Sequence, residues 1–214
     1  MIKAIIFDMD GVLIDAKEWH YDALNRALSL FGFEISRYDH LTTYDGLPTK
    51  RKLEMLSLER GLPNRLHPFI NRLKQSYTME IAQIKCKPRF AQEYALSSLK
   101  SKGYKLAVAS NSIRESVELM MEKASLRIYM DEMLSTADVS RAKPDPEIYI
   151  KAIARLNLNA TECLVVEDNM NGIKAAKASG AHVLVVKGVS DVNLENIMSR
   201  VREIEMSHEE ECLA

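Results

Sequence analysis

Ala4-Ile5-Ile6-Phe7-Asp8-Met9-Asp10-Gly11-Val12 is the stretch whose reading decides the fold. Four consecutive apolar residues, without polar alternation, suit a strand buried on both faces of a parallel sheet. The strand ends in two carboxylates one position apart, with a glycine directly after them. Open α/β sheets take their ligands at the carboxyl ends of their strands, so this is a place for chemistry. Like charges this close repel, and a cation between them or a proton on one of them relieves the repulsion. The same letters also describe a solvated Asp-x-Asp-Gly turn closing a strand. The rest of the chain has to choose between the two.

From about residue 16 to 84 no strand pattern is found. Trp19, Ala23, Ala27 and Leu30 form one helical stripe that Gly32 is placed to stop. Tyr44-Asp45-Gly46-Leu47-Pro48 reads as a turn, and helices are expected around Thr49–Arg60 and Leu66–Ile84. An α/β protein needs only one crossover helix here, so the block reads as an inserted helical module. The expected organisation is an α/β core of residues 1–15 and 85–214, a Rossmann-like parallel sheet, with a helical unit over 16–84.

Alternation of helix and strand resumes at Arg89. Lys105-Leu106-Ala107-Val108-Ala109 is a strand ending at Ser110-Asn111, and Ser112-Ile113-Arg114-Glu115 has the S-x-x-E form of a capping box, which starts a helix at Ser112. Met133–Thr136 reads as a short strand. Lys143-Pro144-Asp145-Pro146 opens a helix with Asp145 as N-cap and Pro146 at its first position, and its apolar stripe includes Ile148, Tyr149 and Ala152. Cys163-Leu164-Val165-Val166 is a strand ending in Glu167-Asp168-Asn169. A helix over Gly172–Ser179 follows, then a strand over His182–Val186 and a helix near Val192–Ile204. Glu209–Glu211 reads as a frayed end.

Composition narrows the function. The 214 residues are 47% hydrophobic and 28% charged, enough for a real core. A balance of 29 basic against 30 acidic side chains leaves no footprint for nucleic acid or an anionic membrane. No run approaches the roughly 20 apolar residues that cross a bilayer, and the N-terminal apolar run is too short for a signal peptide. Cys86, Cys163 and Cys212 are few, scattered and odd in number, as in a reducing compartment, and the expected location is cytoplasmic. Oligomeric state is not indicated.

Four polar sites follow strand ends or enter helices: Asp8/Asp10, Ser110/Asn111, Lys143 and Glu167/Asp168. In a doubly wound sheet these loops share one edge and converge. Their chemistry is complementary. Carboxylates suit Mg²⁺, which takes few of them together with substrate phosphate oxygens. A hydroxyl ahead of a helix N-terminus suits phosphate, and a lysine supplies a compact positive charge. One carboxylate can attack phosphorus and a second can shuttle the proton. Singly, each has an ordinary explanation: a strand-end hydroxyl, a solvated lysine, a capping arrangement. Four on one edge do not reduce to four coincidences.

The sequence resembles the haloacid dehalogenase superfamily through Phe7-Asp8-Met9-Asp10-Gly11-Val12, Ala109-Ser110-Asn111, Lys143-Pro144-Asp145-Pro146 and Val165-Val166-Glu167-Asp168, in that order across the core. The resemblance implies a Rossmann-like core with a helical cap after the first strand. It also implies Asp8 as nucleophile, Asp10 as general acid/base, and Ser110, Asn111 and Lys143 as phosphate holders. Asp8, the Asp10 carbonyl and Asp168 would hold Mg²⁺, with Glu167 a further ligand or a partner behind the ligands. Asp10 speaks against dehalogenation, since the dehalogenase branch lacks this second aspartate. The chain is most similar to the β-phosphoglucomutase and sugar-phosphate phosphatase branch, where His20 and Gly46 fall on the substrate side of the cap. That branch's mutases carry a lysine and an arginine about the cap glycine; here Asp45 and Thr49 flank Gly46, and Arg114 replaces an asparagine. The expected activity is therefore Mg²⁺-dependent hydrolysis of a small phosphorylated metabolite, possible sugar phosphates included, through an aspartyl-phosphate, with a phosphosugar mutase as the alternative.

Overall fold

A computed structural model describes the backbone of residues 1–44 and 47–213, and side chains through Ser207. The chain divides into two compact units, Met1–Asp15 with Cys86–Ala214, and Ala16–Lys85.

The first unit is built on a parallel sheet. Its strands are β1 (Ala4–Phe7), β2 (Lys105–Ala109), β3 (Glu132–Leu134), β4 (Cys163–Glu167) and β5 (His182–Val185), in the spatial order β3-β2-β1-β4-β5. β1 is the central strand, and every residue of it is buried, as an apolar run without alternation requires. Its helices are α5 (Phe90–Ser101), α6 (Arg114–Lys123), α7 (Glu147–Arg155), α8 (Met170–Ala178) and α9 (Leu194–Leu213); α1 to α4 belong to the second unit. Ala4, Ile6, Ala107, Ala109, Cys163 and Val165 form one core with Ile148, Tyr149 and Ala152 of α7 and Ala175 and Ala176 of α8. The alternate residues Ile5, Phe7, Leu106, Val108, Leu164 and Val166 point the other way and are equally buried. Each fully buried Val, Leu or Ile side chain contributes roughly 1.5–3 kcal/mol.

The second unit is helical among its described residues: α1 (Lys17–Ser29), α2 (Arg37–Asp39), a π-turn over His40–Tyr44, α3 (Thr49–Arg60) and α4 (His67–Lys85). α1 lies along α4, and Leu24, Ala27, Leu28, Ile35, Tyr44, Leu53, Leu56 and Ile70 form a core of its own. Asn25 clamps the Ile35 main chain, accepting from its N–H at 2.9 Å and donating to its carbonyl at 2.8 Å. Leu30, expected on the apolar stripe, is 61% exposed, because α1 stops at Ser29 and Leu30 falls past its end.

Helix ends depart from expectation at several places, one being α8, which begins at Met170 rather than Gly172. α6 begins at Arg114 rather than Ser112, and its N-cap Ile113 makes no side-chain capping bond. α7 begins at Glu147, one residue after the expected start at Pro146, although the Asp145 carboxylate accepts from the Glu147 N–H at 3.0 Å, as expected of an N-cap at Asp145. α9 carries the backbone on to Leu213, through the segment read as frayed. A capping box missed in the sequence joins Ser135 to Asp138 just after β3, and Asp138 is further gripped by Arg114 and Arg155.

Candidate active site

Parallel pairing fixes the site. Phe7 is level with Val108 of β2 and with Val166 of β4, so the next residues along the three strands, Asp8, Ala109 and Glu167, share one row at the sheet's carboxyl edge. Neighbouring strands lie about 4.8 Å apart, which sets two carboxylates and a carbonyl within reach of a single cation. Lys143 is that cation. Its ammonium donates to Asp8 Oδ1 at 2.6 Å, to the Ala109 carbonyl at 2.8 Å and to Glu167 Oε1 at 2.7 Å, using all three of its protons. The lysine is only 3% exposed. Burial opposes its charge, but Asp8 and Glu167 overcome this and hold its pKa above the usual lysine value.

Immediately after β1 the N–H groups of Val12, Leu13 and Ile14 all point to the Met9 carbonyl, and Gly11 donates to the Ile14 carbonyl at 2.6 Å. This tight curl needs the positive φ of Gly11 (91°). It keeps Asp8 and Asp10 together at the strand end. Burial pushes the Asp8 carboxyl well above the usual carboxylate range, and the nearby Glu167 adds to this; Lys143 opposes them, and Asp10 raises it again. Asp10 Oδ2 accepts from the Ser112 hydroxyl at 2.7 Å. Ser112 thus has a better partner than a helix cap, which is why α6 starts later than its letters suggest.

Ser110 is buried at the end of β2, its N–H on the Leu134 carbonyl at 3.1 Å and its hydroxyl accepting from the Ser112 N–H at 3.0 Å. The Asn111 side chain is engaged with the Lys143 main chain: its Oδ1 accepts from the Lys143 N–H at 3.0 Å, and its Nδ2 donates to the Lys143 carbonyl at 3.4 Å. It braces the loop that delivers the lysine.

Glu167 is fully buried and its two oxygens take four donors: Lys143 and the Tyr149 hydroxyl (2.6 Å) on Oε1, the Asp168 N–H (3.1 Å) and Asn169 Nδ2 (3.2 Å) on Oε2. A carboxylate offers about four lone-pair positions, so these are filled by protein. Asn169 also caps α8, accepting through Oδ1 from Asn171 and Gly172 N–H. Gly172 leaves room for the glutamate: a Cβ there would stand 1.8 Å from Glu167 Oε1.

Oxygens of Asp8, Glu167 and Asp168 lie within 4.8 Å of one another. With Asp10 these make four acids about one buried lysine, a hard-oxygen set with surplus negative charge that fits a divalent cation such as Mg²⁺. Ser112, Tyr149, Asn169 and Gly172 were not singled out for the site from sequence. The spacing of Ser112, two after Ser110 at a strand end, is the signal that could have found it; Tyr149 is hidden in an apolar stripe.

In the helical unit His20 is half-buried, its Nδ1 2.9 Å from Lys74 Nζ. Arg51 pairs with Glu54 at 3.3 Å. Gly46 and Asp45 lie outside the described residues.

Comparison with known proteins gives the family. The family model described as haloacid dehalogenase-like hydrolase matches residues 5–186. A phosphorylated carbohydrates phosphatase of Thermotoga maritima is 30% identical over 84% of this chain and 82% of its own length. A phosphoglycolate phosphatase of Aquifex aeolicus is 29% identical over the same shares, 84% and 82%. Among solved structures, β-phosphoglucomutase of Clostridium difficile superposes with a TM-score of 0.80 at 21% identity, covering 96% of this chain and 100% of that one, a likeness of fold alone. No described helix is long and apolar enough to cross a membrane.

Proposed function

The chain belongs to the haloacid dehalogenase-like hydrolase family and is a phosphoric monoester hydrolase, and from that premise we propose a phosphoryl route through Asp8 with Mg²⁺ as cofactor. The observation that carries this reading is the ammonium of Lys143 bonded at once to Asp8, Glu167 and the Ala109 carbonyl. Asp8 is the nucleophile: a carboxylate oxygen bonds to phosphorus as the ester P–O bond breaks, leaving an aspartyl-phosphate. Asp10, steadied by Ser112, gives its proton to the departing alkoxide and then takes one from the water that attacks phosphorus and releases Asp8. Lys143 and Ser110 neutralise and bind the phosphoryl oxygens, and Asn111 holds the Lys143 loop in place. Mg²⁺, held by Asp8, Asp168 and the Asp10 carbonyl, would supply charge neutralisation at the phosphoryl oxygens. Glu167, with its oxygens filled by four protein donors, serves as the anchor of Lys143 rather than as a direct ligand.

The substrate class is a small phosphorylated metabolite, with sugar phosphates first because the Thermotoga maritima relative is named for phosphorylated carbohydrates. The helical unit is its substrate-selecting cap, and His20, held by Lys74, belongs to that side. Hydrolysis is favoured over the mutase alternative. A mutase must hold a bisphosphate at both ends; of Lys50, Arg51 and Lys74, the cations of the helical unit that could stand in for a mutase's lysine and arginine, Arg51 is paired with Glu54 and Lys74 with His20.

The decisive variant is Asp8→Asn, expected to lose phosphate release from a panel of phosphorylated metabolites by at least about a thousandfold. Turnover at the parent rate would refute the assignment. Incubating hexose 1-phosphate with a trace of hexose bisphosphate separates the two activities: free phosphate supports the hydrolase, isomer without free phosphate the mutase.

A further inference from the structure

We propose that Tyr149 is a positioning residue for phosphoryl transfer, its phenol sharing Glu167 Oε1 with Lys143 and so limiting how strongly the lysine is drawn from Asp8. The inference rests on the reading of Asp8 as phosphoryl acceptor and Lys143 as its neutralising cation.

The geometry is that of two donors on one oxygen. Tyr149 is fully buried on α7, its hydroxyl donating to Glu167 Oε1 at 2.6 Å. The same oxygen accepts from Lys143 at 2.7 Å. Lys143 also lies 4.7 Å from the centre of the Tyr149 ring. The tyrosine therefore touches both members of the pair, once by its edge oxygen and once by its face. Lys143 has three protons and three fixed acceptors, so a phosphoryl group arriving on Asp8 must draw the lysine against the pull of Glu167. A second donor on Oε1 disperses that oxygen's charge and weakens the pull. Without the phenol, Glu167 Oε1 keeps its bond from Lys143 with its charge undispersed and holds the lysine closer.

Tyr149→Phe isolates this effect, since the ring, its packing and its face toward Lys143 all remain. The readouts are kcat, KM, inhibition by orthovanadate, the Mg²⁺ concentration giving half-maximal rate, and Tm, for the parent, Tyr149→Phe, Glu167→Gln and the double variant. Expected for Tyr149→Phe is a loss of about tenfold in kcat and in vanadate affinity, the size of one hydrogen bond to a charged group. KM and the Mg²⁺ requirement should change less than about twofold. In the Glu167→Gln background the same change should have little further effect, because the charge being shared is gone. A fall in Tm with kcat and vanadate affinity unchanged overturns the proposal, as the role is then structural. A tenfold effect that persists undiminished in Glu167→Gln overturns it too, since Tyr149 then does not act through Glu167. Loss of turnover in Asp8→Asn beside a silent Tyr149→Phe refutes this inference alone, whereas turnover surviving in Asp8→Asn refutes the reading beneath it.

Discussion

Replacing Gly172 with alanine sets two effects against each other, and distances in the structure decide between them. Gly172 lies inside α8, where alanine ordinarily stabilises a helix by about 1 kcal/mol over glycine. Here, however, a Cβ would stand 1.8 Å from Glu167 Oε1, 2.0 Å from Cδ and 2.3 Å from Oε2. Ordinary contact begins at 3.4 Å, so the carboxylate has to retreat by roughly 1.6 Å, the difference between 3.4 and 1.8 Å. A displacement of that size does not preserve hydrogen bonds of 2.7 Å to Lys143 and 2.6 Å to Tyr149. Disrupting a buried, hydrogen-bonded ion pair costs about 3–5 kcal/mol. Set against the helix gain, the net loss is about 3 kcal/mol. With a slope near 2 kcal/mol per molar, the urea midpoint should fall by more than about 1 M. Phosphatase activity should fall with it, because Lys143 loses the anchor that fixes it beside Asp8. Glu167→Asp in the same chain shortens the acid by a methylene and should recover part of the loss. A Gly172→Ala protein as stable as its parent, with full activity, would mean that the glutamate is not wedged against α8 and would refute the reasoning.

Two further outcomes follow from charge. Burial raises the Asp8 carboxyl well above its ordinary value of 3.8, so its contribution to stability is full below that value and is lost as pH rises through the folded pKa. Metal-free protein in chelator should therefore be less stable at pH 7.5 than at pH 5, and Mg²⁺ should raise Tm more at pH 7.5; equal Mg²⁺ shifts at both pH values would count against Asp8 as a ligand. At Asp138 burial opposes ionisation, but hydrogen bonds from the Ser135 N–H, Arg155, the Ser135 hydroxyl and Arg114 hold the carboxyl down at about 2. Its stabilising contribution is present above pH 3.8 and is lost as pH falls toward 2. Asp138→Asn should cost about 2 kcal/mol at neutral pH and flatten the acid limb of the urea-midpoint profile between pH 4 and 2, with activity little changed.

The sheet was legible because its strands are uninterrupted apolar runs, and Lys105–Ala109 matches β2 to the residue. The acids, Ser110 and Lys143 were legible only as a set, because each is ordinary alone but their loops, following strand ends or entering helices, share one edge of a parallel sheet. What stayed hidden depends on register between strands far apart in sequence. Tyr149 sits in a stripe with Ile148 and Ala152, and only the arrival of Glu167 under its hydroxyl turns a core residue into a donor. Gly172 reads as an indifferent helix residue until the glutamate occupies the place of its side chain. Ser112 fits a capping pattern by its letters, yet the nearby Asp10 carboxylate takes its hydroxyl. The apolar stripe through Leu30 failed because periodicity locates a face better than it locates the last turn.

Sheet order carries a consequence for the chemistry. A buried ammonium has three protons to place, and leaving one without an acceptor costs more than a surface lysine would ever lose. With β1 between β2 and β4, the row after Phe7, Val108 and Val166 supplies two carboxylates and one carbonyl at a single level, which is the set Lys143 uses. A strand at the sheet edge would have one neighbour and could offer only part of that set. The acid on the central strand is thus flanked by Glu167 of β4 on one side and the Ala109 carbonyl of β2 on the other, and it is faced by the buried Lys143 that bonds all three. A one-residue slip of β1 against either neighbour would move Asp8 out of the row and turn its side chain to the opposite face, undoing the arrangement while leaving every residue in place.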